Sequence, residues 1–238
     1  MTKVAILQSN YIPWKGYFDL VNDVDHFVFY DEVQFTKNDW RNRNQINNKS
    51  GKHWLTVPVG QNISRLISNV TIANTLWQKK HYKTLCHSYS KCPFFEHSQQ
   101  LLEFIYLKNS WKKLSCLNQE SIKYISDFLG IKTEFHNYKE LKLPESDNRS
   151  LKLVNTVKYF GGSTYISGPS AKSYIDVQLF SSNNISIAWK DYSDYPIYLQ
   201  HQSNLFDHNV TILDTIFNLG PNASQYIWGF KTRTSLTD

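Results

Sequence analysis

Two arginines and several polar strand-end residues are the parts of this chain that could do chemistry. Arg41 and Arg43 alternate with Asn42 and Asn44, so in an extended segment both guanidinium groups face one side. Such a pair is either a clamp for phosphate or carboxylate, or a set of surface charges. Further polar and aromatic residues follow apolar runs of strand length and could bind a ligand. They are Gln8, Asn10, Trp14, Asp31 and Gln34.

A strand-helix-strand unit must position these side chains. Residues 4–7 and 26–30 are apolar runs of strand length, and residues 17–22 between them carry their apolar side chains on one helical face. The whole unit has the length of a parallel βαβ crossover. Open α/β sheets bind ligands at the carboxyl ends of their strands, so the polar residues that follow both strands are predicted to lie together.

His81 is the most prominent histidine, because it shares one helical face with aromatic and apolar residues. Trp77, His81, Leu85 and Tyr89 recur at four-residue spacing, which puts them on a single stripe. A histidine in this setting is more often a hydrogen-bonded core residue than a catalyst. Both roles stay open for His81.

The chain as a whole predicts one α/β domain over residues 1–238, with a Rossmann-like, mostly parallel sheet built on the N-terminal βαβ unit. Residues 1–74 and 131–228 would form its core, and the helical patterns of residues 75–130 predict a helical insertion. Residues 63–72 are predicted to be a short β region. Residues 164–169 are predicted to be a strand that ends in a polar turn, and the tail after Trp228 is expected to fray.

Composition limits the compartment and the partners. The net charge is +6, which suits an anionic partner such as a sugar nucleotide, a phosphopantetheine carrier or nucleic acid, but the lysines are scattered rather than clustered. Three cysteines without a CxxC pair favour a reducing compartment over a disulfide framework. No secretory leader and no apolar run of membrane-spanning length is present, so we expect a cytoplasmic protein.

Several catalytic signatures are missing from the sequence. It has no Walker glycine loop, no GxGxxG, no HExxH and no GxSxG motif. Its eight histidines show no ligand spacing, so no metal site is predicted. The strand, proline-bearing loop and glycine before the first helix are similar to those of adenylate-forming nucleotidyltransferases, but Trp14 and Tyr17 stand where those enzymes carry phosphate-binding histidines.

Short motifs in a fixed order resemble those of the WbqC-like protein family. The resemblance runs from residue 3 to about residue 225, and Ser9 stands where the family often has proline, which affects the rigidity of the loop. The motifs are residues 6–18, 31–35, 40–43 and 54–58, Trp77 with His81, residues 165–168, and residues 211–214 with Asn218 and Gly220.

This resemblance implies a role in bacterial surface-polysaccharide biosynthesis, including the O-antigen of lipopolysaccharide. The implied reaction is transfer of an acyl or aminoacyl group to the amine of a nucleotide-linked amino sugar. No tightly bound cofactor is expected, and a coenzyme A thioester or a phosphopantetheine acyl carrier protein would be the donor. A non-catalytic module that binds the sugar nucleotide or the carrier protein is the alternative, followed by a nucleotidyltransferase-like or nucleic-acid-binding protein.

The implied transfer needs a base, an oxyanion stabiliser and an anion clamp. His81 would be the general base, and Asp31 the alternative base or the group that orients the amine. Amide side chains would bind the sugar or the oxyanion, arginines a phosphate, and aromatic rings would stack on the sugar or the nucleobase. The residues predicted to bind substrate are Gln8, Asn10, Trp14, Tyr17, Gln34, Lys37, Trp40, Arg41, Asn42, Arg43, Tyr165 and Ser167.

Overall fold

A computed structural model describes residues 1–62 and 64–230, in which strands and helices follow one another along the chain. In chain order the elements are β1 (Lys3–Leu7), α1 (Lys15–Asn22), β2 (His26–Phe29), β3 (Arg43–Asn48), β4 (Gly51–Thr56), α2 (Leu76–Tyr89), α3 (Phe95–Glu103), α4 (Leu114–Phe128), β5 (Glu134–Asn137), α5 (Arg149–Tyr159), β6 (Thr164–Ser167), α6 (Val177–Ser182), β7 (Ser186–Trp189) and α7 (Ile212–Leu219). Short 3-10 helices lie at Ile67–Asn69, Tyr138–Leu141, Pro169–Ser173 and Gly220–Tyr226, and a π-helical turn at Phe104–Lys108.

Five of these strands form the central sheet in the order β5-β2-β1-β6-β7, and every neighbouring pair is parallel. The chain first adds β2 and β5 on one side of β1 and later adds β6 and β7 on the other side. The strand order therefore reverses at β1, and α/β sheets bind ligands at the carboxyl ends of the strands beside such a point. The predicted α/β, Rossmann-like fold is confirmed. Strands β3 and β4 form a separate antiparallel hairpin.

Each face of the sheet has its own core, because successive side chains of a strand point to opposite faces. Ala5 and Phe27 pack with side chains of α1, α2, α3, α4 and α7. Val4, Ile6 and Val28 pack with side chains of α5 and α6. Both faces are covered, which explains why β1 and β2 are apolar runs without alternation.

The region of residues 75–130 contains α2, α3 and α4, and its apolar side chains join the same core cluster as Ala5. Its description as an insertion within one domain stays a prediction. No helix among the described residues is long and apolar enough to cross a membrane.

Two other predictions concern segments that lie partly outside the described residues. The first is the β region predicted at residues 63–72, of which residue 63 is not described. Residues 64–72 contain no strand; they form two isolated β-bridges, Leu66 with Gln34 and Thr71 with Lys113, on either side of a 3-10 turn. The second is the tail after Trp228 that was expected to fray, which lies outside the described residues from residue 231 onward.

Candidate functional site

The loop between β1 and α1 lies at the carboxyl edge of the sheet in a strained conformation. Ile12 has φ of +34°, a backbone region that β-branched residues rarely adopt. The buried side chain of Asn44 holds the loop in place, because its Nδ2 donates to the Tyr11 carbonyl at 3.2 Å and to the Ile12 carbonyl at 2.7 Å. The β3-β4 hairpin, through Asn44, therefore fixes the shape of this loop.

Replacing Asn44 by alanine should lower the free energy of unfolding by about 1–3 kcal/mol, because two buried carbonyls lose their donor. Urea denaturation measures this change. The exposed Asn204 provides the matched control, and Asn204→Ala should stay within about 0.5 kcal/mol of wild type. Equal stability of the two variants would mean that the loop keeps its shape without the asparagine.

Asp31 joins the carboxyl ends of β1 and β2. Its Oδ1 accepts a hydrogen bond from the Ser9 amide, and its Oδ2 accepts from the Ser9 hydroxyl and from Gln119 Nε2, all at 2.8 Å. Burial raises the pKa of Asp31, while these hydrogen bonds and the nearby Arg41 oppose the rise. The carboxyl group is thus a stronger proton acceptor than an exposed aspartate, and it lies at the predicted edge of the sheet.

Arg41 is anchored beside Asp31 but keeps donor capacity. Its Nη2 donates to Gln8 Oε1 at 3.1 Å and its Nη1 to Asp39 Oδ1 at 3.0 Å. Its Nε is buried and has no hydrogen-bond partner among the described residues. A guanidinium group held in this way can bind an anion without first being ordered.

Arg43 presents its guanidinium group differently. The group lies over the ring of Trp54, 4.1 Å from its centroid, and its buried Nε also has no partner within the described parts of the chain. Asn42 and Asn44 are buried, whereas both arginines are half-buried. Strand β3 begins at Arg43, and Arg41 and Asn42 lie in the turn before it, so the placement of both guanidinium groups on one side stays a prediction.

A cavity of about 270 Å³ opens beside the strained loop. Asn10 Oδ1 is buried there without a hydrogen-bond partner in the described chain, and Trp40 is 45% exposed. Indole rings and the unpaired Asn10 carboxamide oxygen together suit the recognition of a sugar or a nucleobase, which stacks on the rings and hydrogen-bonds to the oxygen. The residues that line the cavity are Asn10, Pro13, Trp14, Trp40, Asn44 and Asn209.

The other predicted binding residues do not line this cavity. Gln34 and Lys37 are exposed, and the Tyr17 hydroxyl donates to the Gln8 carbonyl at 3.1 Å. Tyr165 is buried with its ring 5.2 Å from that of Phe180. Asn42 and Ser167 are also buried.

His81 lies in a buried chain of hydrogen bonds that involves the strained loop. Its Nδ1 is hydrogen-bonded to the Tyr11 hydroxyl at 2.8 Å, and that hydroxyl contacts the Tyr106 hydroxyl at 2.6 Å. Burial lowers the pKa of His81 to about 4, so its imidazole is neutral near pH 7. The structure thus gives His81 the partners of a core histidine, and its role as a base stays a prediction.

Lys15 had no predicted role, yet its ammonium group is buried inside the protein. The side chain is 2% exposed, and its Nζ has no hydrogen-bond partner among the described residues. The nitrogen lies 4.7 Å from the ring centroid of Tyr195 and 5.4 Å from that of Tyr198. Burial lowers the pKa of Lys15 to about 8, although Asp214 and Asp19 favour its charged form. Aromatic faces replace water around this ammonium group.

Asp214 of α7 is the second charge that lacked a predicted role. It is buried, and its carboxylate accepts from the Tyr198 hydroxyl at 2.8 Å, Gln200 Nε2 at 2.9 Å and the Tyr89 hydroxyl at 3.1 Å, and also from Gln202 Nε2. Burial raises its pKa to about 6. An aspartate inside an apolar run at residues 212–217 was the available signal, because buried carboxylates need partners.

The chain is similar to proteins of one known family. The model of the WbqC-like protein family matches residues 8–226 of the chain. The chain belongs to the WbqC-like protein family. This WbqC-like chain is also 41% identical over 229 residues to Uncharacterized protein Rv1507c of Mycobacterium tuberculosis (strain ATCC 25618 / H37Rv), a match that covers 95% of this chain and 98% of that protein. No solved structure gives a significant match.

The match to the WbqC-like family covers the whole candidate site. Residues 8–226 include the strained loop, the cavity, the two arginines and Asp214. The membership of the WbqC-like family that the sequence motifs predicted is therefore confirmed.

Proposed function

We propose that this WbqC-like protein transfers an acyl or aminoacyl group to the amine of a nucleotide-linked amino sugar, as a step in surface-polysaccharide or O-antigen biosynthesis. The observation that carries the proposal is the cavity lined by two indoles and three carboxamides, whose lining residues Trp40 and Asn44 are the chain neighbours of Arg41 and Arg43. A nucleotide-linked sugar presents flat apolar faces, hydroxyl groups and a diphosphate, and these features match the three kinds of side chain.

The proposed binding mode assigns each kind of side chain one task. Trp14 and Trp40 stack on the sugar or the nucleobase, and Asn10 hydrogen-bonds to hydroxyl groups through its unpaired Oδ1. Arg41 and Arg43 bind the diphosphate through charge-assisted hydrogen bonds. The cavity of about 270 Å³ holds part of such a ligand, so the remainder lies across the half-exposed arginines.

The proposed reaction is an addition and elimination at a thioester carbonyl of coenzyme A or of a carrier-bound phosphopantetheine. One ammonium proton of the sugar moves to the base, and the amine nitrogen forms a bond to the carbonyl carbon. The carbon–sulfur bond then breaks, and a second proton passes from the nitrogen to the departing sulfur, so the products are an amide and a free thiol. Asp31 is the better-supported base, because its pKa is raised and it is bonded to Ser9, the neighbour of Asn10 in the cavity wall. The Gln8 amide nitrogen is available to donate to the oxyanion.

A non-catalytic binding module is the second candidate. The cavity-lining side chains are amides, indoles and a proline, and none of the six titrates near neutral pH. A protein that only senses a sugar nucleotide needs no more than this. Binding without product, whichever donor is supplied, would identify it.

A thermal-shift screen against nucleotide-linked amino sugars, combined with mass spectrometry of the product, tests the proposal. A ligand at 100 times its dissociation constant should stabilise the protein by about 2.7 kcal/mol. The change Arg41→Ala should weaken binding by about tenfold or more, because it removes a charged hydrogen-bond donor. The exposed Arg149 supplies the control, since Arg149→Ala should bind like wild type.

The results separate three cases. A shift with an acylated sugar as product supports the transferase. A shift without product, after coenzyme A thioesters and a loaded carrier protein have both been supplied, favours the binding module. The absence of any shift, or equal affinity in Arg41→Ala and wild type, contradicts the assigned site.

A further inference from the structure

Two histidines and a glutamate meet at the edge of the sheet opposite the cavity. His26 is the first residue of β2 and pairs in register with Glu134, the first residue of β5. His136 follows Glu134 by two positions, so its side chain lies on the same face of the strand. The parallel pairing of β2 with β5 thus brings His26, Glu134 and His136 together on one face of the sheet.

The ligand atoms have the spacing of a tetrahedral zinc site. His26 Nδ1 lies 3.2 Å from His136 Nε2 and 3.3 Å from Glu134 Oε2, and His136 Nε2 lies 3.8 Å from the same oxygen. Ligands about 2.0–2.2 Å from a tetrahedrally coordinated Zn²⁺ are separated by about 3.3–3.6 Å. The three atoms can therefore contact one ion with shifts of a few tenths of an ångström.

The surroundings hold the two imidazoles in place and leave room for an ion. The ring of Phe160 lies 4.6 Å from that of His26 and 4.5 Å from that of His136, so one aromatic side chain packs against both. The side chain of Glu134 is 68% exposed, and an open cavity of about 560 Å³ adjoins His26 and Glu134. An ion can enter from solvent, and a water molecule can complete its coordination.

We propose that His26, Glu134 and His136 bind one Zn²⁺ ion through three protein ligands, with a water molecule as the fourth ligand. Two imidazole nitrogens and a carboxylate oxygen are ligands that zinc binds well. The ion would connect β2 to the edge strand β5. The site shares no residue with the cavity, so it neither depends on nor supports the proposed transfer.

The test is zinc titration of the tag-free full chain after treatment with a chelator, by isothermal titration calorimetry. Wild type should bind one ion per chain, and its melting temperature should rise with zinc. The changes Glu134→Gln and His136→Gln should each weaken binding at least about tenfold. Glu134 is exposed, so Glu134→Gln should retain the fold, and the exposed His87 provides the control variant His87→Gln.

Cobalt supplies an independent readout. Co²⁺ at the same site should give the strong visible absorption of four-coordinate cobalt, and zinc should displace it. Absence of binding by wild type would overturn the proposal. Equal affinity in wild type and Glu134→Gln would do so as well, because the ion would then be held elsewhere.

Discussion

Replacing Asp214 by alanine is expected to lower the free energy of unfolding by about 3–5 kcal/mol. The change leaves two tyrosine hydroxyls and two glutamine amides inside the protein without their common acceptor. It also removes a negative charge that favours the ammonium form of the buried Lys15. Buried donors that lose an acceptor bear their full desolvation cost, and a buried charge without its partner costs more.

Chemical denaturation with urea measures the loss, and Asp127→Ala is the matched control. Asp127 is an exposed aspartate of α4, so its removal should change stability by less than about 0.5 kcal/mol. If Asp214→Ala were as stable as Asp127→Ala, the polar cluster around Asp214 would contribute nothing to the folded state.

The loss of stability caused by Asp214→Ala is predicted to depend on pH. The pKa of Asp214 is about 6 in the folded protein and near the ordinary value of 3.8 in the unfolded chain. Between pH 3.8 and pH 6 the Asp214 carboxyl group binds more protons in the folded state than in the unfolded chain. The contribution of Asp214 to the free energy of unfolding therefore falls as the pH rises through this range. The destabilisation caused by Asp214→Ala should therefore be larger at pH 4 than at pH 7. A destabilisation independent of pH would mean that burial does not raise this pKa.

Changing Asp31 to asparagine is expected to lower the turnover number by about 10²–10⁴-fold, the range typical of losing a general base. The amide cannot accept the ammonium proton but has nearly the same shape as the carboxyl group. Because asparagine keeps nearly the shape of the carboxyl group, the Michaelis constant for the sugar should change less than the turnover number. The measurement is the initial rate of acylated-sugar formation over a range of sugar concentrations.

His81→Ala is the informative companion variant, because His81 is the base predicted from the resemblance. Loss of at least about 10²-fold in His81→Ala, with Asp31→Asn near wild type, would reverse the assignment and make His81 the base. A folded His81→Ala variant with unchanged turnover would remove His81 from the mechanism. Melting temperatures must accompany both rates, since Asp31 accepts three hydrogen bonds and His81 packs beside Tyr11.

Local patterns in the sequence were sufficient to predict the parallel βαβ unit at the start of the sheet and the edge that carries the candidate site. The apolar runs of β1 and β2 require burial on both faces, and the spacing between them permits a parallel crossover. Once the strands are parallel neighbours, Ser9 and Asp31 must emerge at the same edge, and they are hydrogen-bonded there.

Only the tertiary structure decided which side chains enter the cavity and which become core. Gln34, Tyr17 and Tyr165 have the right chemistry near strand ends, but their directions depend on packing that no local pattern specifies. Motif spacing could not reveal the proposed zinc site, since His26 and His136 are 110 residues apart. They meet because β5 pairs with β2 in one register, and strand pairing between distant segments is a property of the whole fold.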